Sequence, residues 1–203
     1  MKGLYIVTPD WDDTQKLLDT TEMALRGGAA LVQYRHKTAD ETLRREQAER
    51  LLELCRRYQR PLIVNDHVDL CLALDAEGVH IGGADMSLAQ VRAILGADKI
   101  VGASCYGDLQ LARNAHRDGA SYVAFGGFYP SRVKKYPVTT PGGIIGESKS
   151  EVPLPVIVIG GMTEENAAPL VARGADMVAA ISSVYSAADP ETSARGFARL
   201  FGD

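Results

Sequence analysis

Eight short runs rich in apolar residues recur along the whole chain, at residues 4–7, 30–34, 61–64, 78–81, 99–103, 122–125, 156–159 and 177–181. Most are rich in Val and Ile, and most are followed by Gly, Asn, Asp, Ser or Thr. A short continuous apolar run with a turn residue behind it is the pattern of a strand buried on both faces. The stretches between them have helical spacing. Between residues 40 and 58, Leu43, Ala48, Leu51, Leu52 and Cys55 are set against arginines and glutamates. Ser87 precedes Leu88, Val91, Ile94 and Leu95 in the place of an N-cap. The pairs Gly28-Ala29, Gly119-Ala120 and Gly174-Ala175 each close a helix and lead into a strand.

Strand and helix therefore alternate throughout. Eight units in 203 residues leave roughly 25 residues per unit, enough for a minimal (β/α)8 TIM barrel with little insertion. An open doubly wound sheet usually has fewer strands and a glycine-rich first turn. Here the first turn reads Thr8-Pro9-Asp10-Trp11. The expectation is one α/β barrel domain over residues 1–203. Residues 141–155 are rich in Gly and Pro and predict a short or irregular sixth helix behind a long loop.

Composition excludes several functions. With 46% hydrophobic and 24% charged residues the chain has the balance of a soluble protein. A net charge of -4 argues against nucleic acid or a membrane surface as partner. No apolar run approaches a membrane span, and Met1-Lys2-Gly3 leads directly into a strand, not a cleavable leader. Cys55, Cys71 and Cys105 form no CxxC pair, which fits small core residues in a reducing, cytoplasmic setting.

Strand side chains alternate between the barrel lumen and the helix layer. If Val32 and Tyr34 face the helices, then Gln33, Arg35 and Lys37 face the lumen near the strand's C-terminal end. Two unpaired cations there would be costly to desolvate, and a polyanionic ligand would remove that cost. The alternative is a solvated loop beyond the strand. Asn65-Asp66 and Gly82-Gly83-Ala84-Asp85 end the next two strands. Neighbouring loops there can bring both carboxylates to one ion, and a few hard oxygen ligands suit Mg2+. Either acid alone could instead cap a helix.

His80 has lumen parity and could relay a proton, bind a ligand or be a satisfied buried side chain. His36, His67 and His116 have no metal-ligand spacing and read as surface or packing residues. Ser104, Gly126-Gly127, Gly160-Gly161 and Ile181-Ser182-Ser183 stand at the later strand ends. Glycines there let backbone N–H groups approach a phosphate, or simply make tight turns. Residues 128–137 carry Arg132, Lys134 and Lys135 and are long enough for a lid. Cys105 has no paired base and reads as inert.

In order along the chain, the opening Gly3-Leu4-Tyr5-Ile6-Val7-Thr8-Pro9-Asp10, Gln33-x-Arg35-x-Lys37, Asn65-Asp66, Gly78-Val79-His80-Ile81-Gly82 with Asp85, Gly160-Gly161 and Ile181-Ser182 resemble the thiamine-phosphate synthase family. The resemblance implies transfer of an aminopyrimidine-methyl group from its diphosphate to a thiazole phosphate, giving thiamine phosphate and pyrophosphate. It implies that Gln33, Arg35, Lys37 and Asn65 hold the pyrimidine diphosphate, with His80 and Ser131 also at the substrates. Asp66 and Asp85 would bind Mg2+, and Ser104 and Lys134 would contact the diphosphate or the reacting centre. Gly161, Ile181 and Ser182 would hold the thiazole phosphate. In this reading the catalytic set is Arg35, Lys37, Ser104 and Lys134, and the partners are small molecules. The oligomeric state stays open, a homo-oligomer being one option.

The chain departs from the family pattern at three places. Gly83 stands where Gln is frequent, Pro130-Ser131-Arg132-Val133-Lys134 replaces a Pro-Thr-x-Thr-Lys lid, and residues 139–155 match the usual helix poorly. A related thiazole tautomerase shares the barrel but needs neither the Gln33, Arg35 and Lys37 set nor the aspartate pair. A non-catalytic phosphate-binding barrel is the third reading.

Overall fold

The structure is a computed structural model describing residues 1–82, 86–130 and 139–202. The chain runs β1 (Gly3–Val7), α1 (Thr14–Arg26), β2 (Ala29–Tyr34), α2 (Glu41–Arg57), β3 (Leu62–Asn65), α3 (Val68–Leu74), β4 (Gly78–Ile81) and α4 (Leu88–Leu95). It continues with β5 (Ile100–Tyr106), α5 (Leu109–Arg117), β6 (Tyr122–Gly126), α6 (Ile144–Glu151), β7 (Val156–Ile159), α7 (Glu164–Ala172), β8 (Met177–Ala180), α8 (Ser182–Tyr185) and α9 (Pro190–Arg199). Each strand pairs in parallel with the next, and β8 returns to β1, closing the (β/α)8 barrel. Among the described residues no helix is long and apolar enough to cross a membrane.

Alternation along each strand sorts the apolar residues into two sets. Leu4, Ile6, Val32, Tyr34, Leu62 and Val64 face the helix layer, joined there by Leu17, Leu51, Val91 and Phe197. Tyr5, Val7, Leu31, Ile63, Tyr122, Ala124, Ile157 and Met177 fill the lumen. Six helices begin where short polar side chains accept a first-turn N–H: Asp13, Asp40, Ser87, Asp108, Thr163 and Asp189. Helices α1, α5 and α7 close at the expected glycines, Gly28, Gly119 and Gly174, at φ of 98°, 91° and 101°.

Strand boundaries shift from expectation at several places, and three of them, at the site end of the barrel, bear on the cavity. Asn65 is the last residue of β3, hydrogen-bonded into the sheet with His80 as its register partner. Strand β5 runs on to Tyr106, with an irregularity between Ser104 and Tyr106. Tyr106 adopts φ 52° there, and its hydroxyl donates to the Gly82 carbonyl, tying β5 to the end of β4. Strand β8 stops at Ala180, and Ile181 becomes the residue before α8. The Gly- and Pro-rich stretch does form a regular helix of 8 residues, α6.

Candidate active site

At the C-terminal ends of the strands the lumen opens into a cavity of about 220 Å3. Gln33, Arg35 and Lys37 from β2 and its exit, Asn65 and Asp66 from β3, and His80 from β4 line one side. Ser104 and Tyr106 follow on β5, and Ala124, Ile157, Ile159, Gly160, Ala179 and Ile181 close the other side. The parity argument for β2 therefore places its polar residues correctly. Asp85, Ser131 and Lys134, with the departures Gly83 and Val133, lie outside the described residues.

The premise of two unpaired cations needs correction. Arg35 is paired: its Nη1 lies 3.2 and 3.4 Å from the two carboxylate oxygens of Asp10. Asp10 comes from the β1 exit and was not singled out by sequence reasoning, because its partner lies 25 positions away. Among the described residues Lys37 has no carboxylate within ion-pair distance, and its side chain is exposed. The solvated-loop alternative thus fits Lys37 in part, whereas Arg35 is only 16% exposed.

Asp66 does not cap a helix. It sits at φ 61°, a left-handed conformation that Asp and Asn tolerate better than most residues. Its Oδ2 accepts from Asn65 Nδ2 at 2.6 Å and its Oδ1 from the Gly82 N–H at 3.2 Å. The cap position of α3 belongs to His67, which makes no side-chain cap bond, and α4 is capped by Ser87 and Gln90. Neither helix start needs the acid that capping would have assigned to it. Asp66 instead holds an exposed carboxylate at the mouth, anchored to two strand ends. Among the described residues no cluster of three or more His, Cys, Asp or Glu side chains is placed to share a metal.

Beneath the mouth runs a chain of polar contacts across the lumen. Gln33 Nε2 donates to the Tyr5 hydroxyl at 2.6 Å, and the Tyr5 and Tyr122 hydroxyls are 2.9 Å apart. The Tyr122 hydroxyl lies 2.9 Å from His80 Nδ1, and His80 Nε2 lies 2.8 Å from Ser104 Oγ. The order that gives each phenol a donor and an acceptor runs Gln33 to Tyr5 to Tyr122 to His80 Nδ1. It leaves the imidazole N–H on Nε2, donating to Ser104. Burial pushes both tyrosine hydroxyls above the ordinary phenol range, so they stay neutral. His80 is thus a satisfied buried histidine that also lines the cavity beside Ser104. Tyr5 and Tyr122 escaped sequence reasoning because an aromatic residue in a strand reads as apolar filling. The signal was available in Gly102, the one glycine inside β5, which leaves room for the Tyr122 ring.

The opposite wall is built from backbone. Gly160 has φ 114°, and a Cβ there would come within 2.8 Å of the Gly127 nitrogen. Gly161, at φ 61°, lies against the Pro130 carbonyl, and its own carbonyl accepts from Asn166 Nδ2 at 2.9 Å. Ser182 is exposed and begins the short helix α8 directly after Ile181. Neither Gly161 nor Ser182 is among the described residues lining the cavity. Cys105 is buried and its thiol is pushed up to about 12 by desolvation, as an inert core residue requires. His36 is a packing residue held by Asp12 at 3.0 Å, and His116 is exposed.

A family model described as thiamine monophosphate synthase matches residues 4–184. The curated thiamine-phosphate synthase of Janthinobacterium sp. (strain Marseille) is 65% identical over 201 residues, covering 99% of this chain and 97% of its own. That of Methylobacillus flagellatus is 48% identical over 201 residues, covering 99% and 96%. Among solved structures, thiamine phosphate pyrophosphorylase from Pyrococcus furiosus superposes with a TM-score of 0.87 at 30% identity, covering 98% and 95%. A 3-hexulose-6-phosphate synthase, at TM-score 0.72 and 16% identity over the whole of both chains, shares the fold alone. Matched from its first strand into the helix after its last, the chain belongs to the thiamine monophosphate synthase family.

Proposed function

We infer that this chain is an enzyme, a thiamine-phosphate synthase that transfers the aminopyrimidine-methyl group from its diphosphate to a thiazole phosphate and releases pyrophosphate. The observation that carries this reading is the division of one cavity. Gln33, Arg35, Lys37, Asn65 and Asp66 stand together on one wall, and glycine and apolar residues form the other. A thiazole tautomerase would have no diphosphate for the first wall to bind.

In this mechanism Arg35 and Lys37 bind the diphosphate oxygens, Arg35 through the nitrogens its Asp10 contact leaves open. Gln33 and Asn65 orient the same substrate, and Ser104, held by the His80 N–H, turns its own hydroxyl proton toward the mouth. Lys134 and Ser131, from the lid sequence, complete the diphosphate contacts. The C–O bond breaks with its electron pair leaving on pyrophosphate, and the thiazole nitrogen forms the new C–N bond at the methylene carbon. No side chain gains or loses a proton in that exchange, in keeping with a lumen whose tyrosines are held neutral. The side chains stabilise a departing anion and align two substrates.

Asp66 fits one end of a Mg2+ site: it offers a hard carboxylate oxygen at the mouth, and Asp85 would be the second ligand. Such an ion would supply charge neutralisation at the diphosphate. Gly161, Ile181 and Ser182 take the thiazole phosphate through backbone N–H groups and a hydroxyl. Three buried free cysteines support a cytoplasmic setting. The test is pyrophosphate release from the pyrimidine-methyl diphosphate with Mg2+, with and without thiazole phosphate. Thiazole-dependent release with thiamine phosphate formed is expected. No release, with thiazole phosphate still raising the melting temperature, would sink the synthase reading and favour a tautomerase or a binding protein.

A further inference from the structure

The turn after β1, Thr8-Pro9-Asp10, is absorbed by neither the fold nor the substrate contacts. It nevertheless holds the cation-bearing exit of β2 at three points. Thr8 Oγ1 accepts from the Arg35 N–H and donates to the Arg35 carbonyl, both at 2.8 Å. One oxygen of Asp10, Oδ1, accepts from the Lys37 N–H at 2.9 Å and from Arg35 Nη1 at 3.2 Å. Thr8 is fully buried, so this clamp fixes the backbone, while the Asp10 carboxylate, 36% exposed, acts on the guanidinium.

A carboxylate beside a diphosphate site weakens anion binding by its charge. What it offers in return is direction. An arginine side chain has several rotatable bonds, and an ion pair to a single nitrogen fixes its plane while leaving Nε and Nη2 for an incoming phosphate. We propose that Asp10 is a positioning residue of the transfer reaction, aiming Arg35 at the departing diphosphate at the expense of ground-state affinity for it. The proposal rests on the synthase reading above. Its signature is a split between rate and binding.

The informative variant is Asp10→Asn, because an amide oxygen can still accept from the Lys37 N–H while the charge is gone. Two quantities are compared with the wild-type chain, kcat for thiazole-dependent pyrophosphate release and the Kd of inorganic pyrophosphate with Mg2+ by calorimetry. The expected result is a kcat lower by about tenfold or more, with pyrophosphate bound as tightly as before or up to about tenfold tighter. In an Arg35→Gln background the same change should cost no further kcat, since Asp10 acts through Arg35.

Pyrophosphate binding that weakens in step with kcat would mean that Asp10 merely supports the loop, and would overturn the proposal. So would an unchanged kcat, or an equal further loss in the Arg35→Gln background. Thermal unfolding of each variant separates misfolding from these outcomes, and if Asp10→Asn fails to fold, Asp10→Ser serves in its place. A wild-type chain without thiazole-dependent release would fail the synthase reading itself, a result distinct from any of these.

Discussion

The two walls of the cavity are built by different means. The β2–β4 wall presents charged and amide side chains, Gln33, Arg35, Lys37, Asn65 and Asp66, whose positions depend on neighbours such as Asp10 and Gly82. The β6–β8 wall presents Ala124, Ile157, Gly160, Ala179 and Ile181, where the sheet and its glycines themselves form the surface. The first wall should fail when an atom is removed, the second when one is added.

The largest effect is expected at Arg35. Arg35→Ala should lower kcat about a thousandfold, the scale of losing a charged donor to a developing anion. Arg35→Lys should recover little of it, because an ammonium cannot span two oxygens while pairing with Asp10. Steady-state rates decide this, and full recovery with lysine would remove the planar geometry from the account. Next comes Asp66→Asn, which keeps a residue suited to φ 61° and removes only the charge. Turnover should fall about a hundredfold with a higher Mg2+ requirement in a metal titration, and the melting temperature should hold. A drop in melting temperature with activity intact would make Asp66 a structural link between β3 and β4.

On the second wall Gly160→Ala adds one methyl at φ 114°, 2.8 Å from the Gly127 nitrogen. The KM for thiazole phosphate should rise about tenfold while the Kd of pyrophosphate stays put, with stability lower by about 1–3 kcal/mol. If pyrophosphate binding weakened equally, the walls would not be separable. The smallest effect concerns the frame common to both. The buried thiols of Cys55, Cys71 and Cys105 are pushed from an ordinary 9.0 to about 12, 11 and 12 by desolvation. A group whose folded pKa is raised contributes stability present below its unfolded pKa and lost as pH rises toward the folded one. The melting temperature should therefore decline from about pH 9 toward pH 11, more gently in Cys55→Ala, and a flat profile would contradict the burial argument.

How much of this was legible in the sequence follows the same division. The barrel could be read because each strand is a local run, and two-residue alternation turned Gln33, Arg35 and Lys37 toward the lumen. Glycines at the helix ends were legible for the same local reason. Asp10 and the Tyr5–Tyr122–His80 contacts were not, because their partners lie 25, 117 and 42 positions apart and no period links them. The extension of β5 to Tyr106 was hidden similarly, since Tyr106 pairs with Phe125 of β6 only past an irregularity in the register. Local patterns reveal which way a side chain points. What it meets there depends on closure of the barrel.

The polar chain through the lumen has a consequence for how this barrel can be divided. A cut between β4 and β5 would put Tyr5, Gln33 and His80 in one half and Ser104 and Tyr122 in the other. The three links of this chain that cross the cut, Tyr5 to Tyr122, Tyr122 to His80 and His80 to Ser104, would then be severed together. Each half-barrel alone would lose these three contacts from its interior face, and the same groups would specify how the halves rejoin. The lumen of this enzyme thus works as a lock between its two halves, cut to a single pairing.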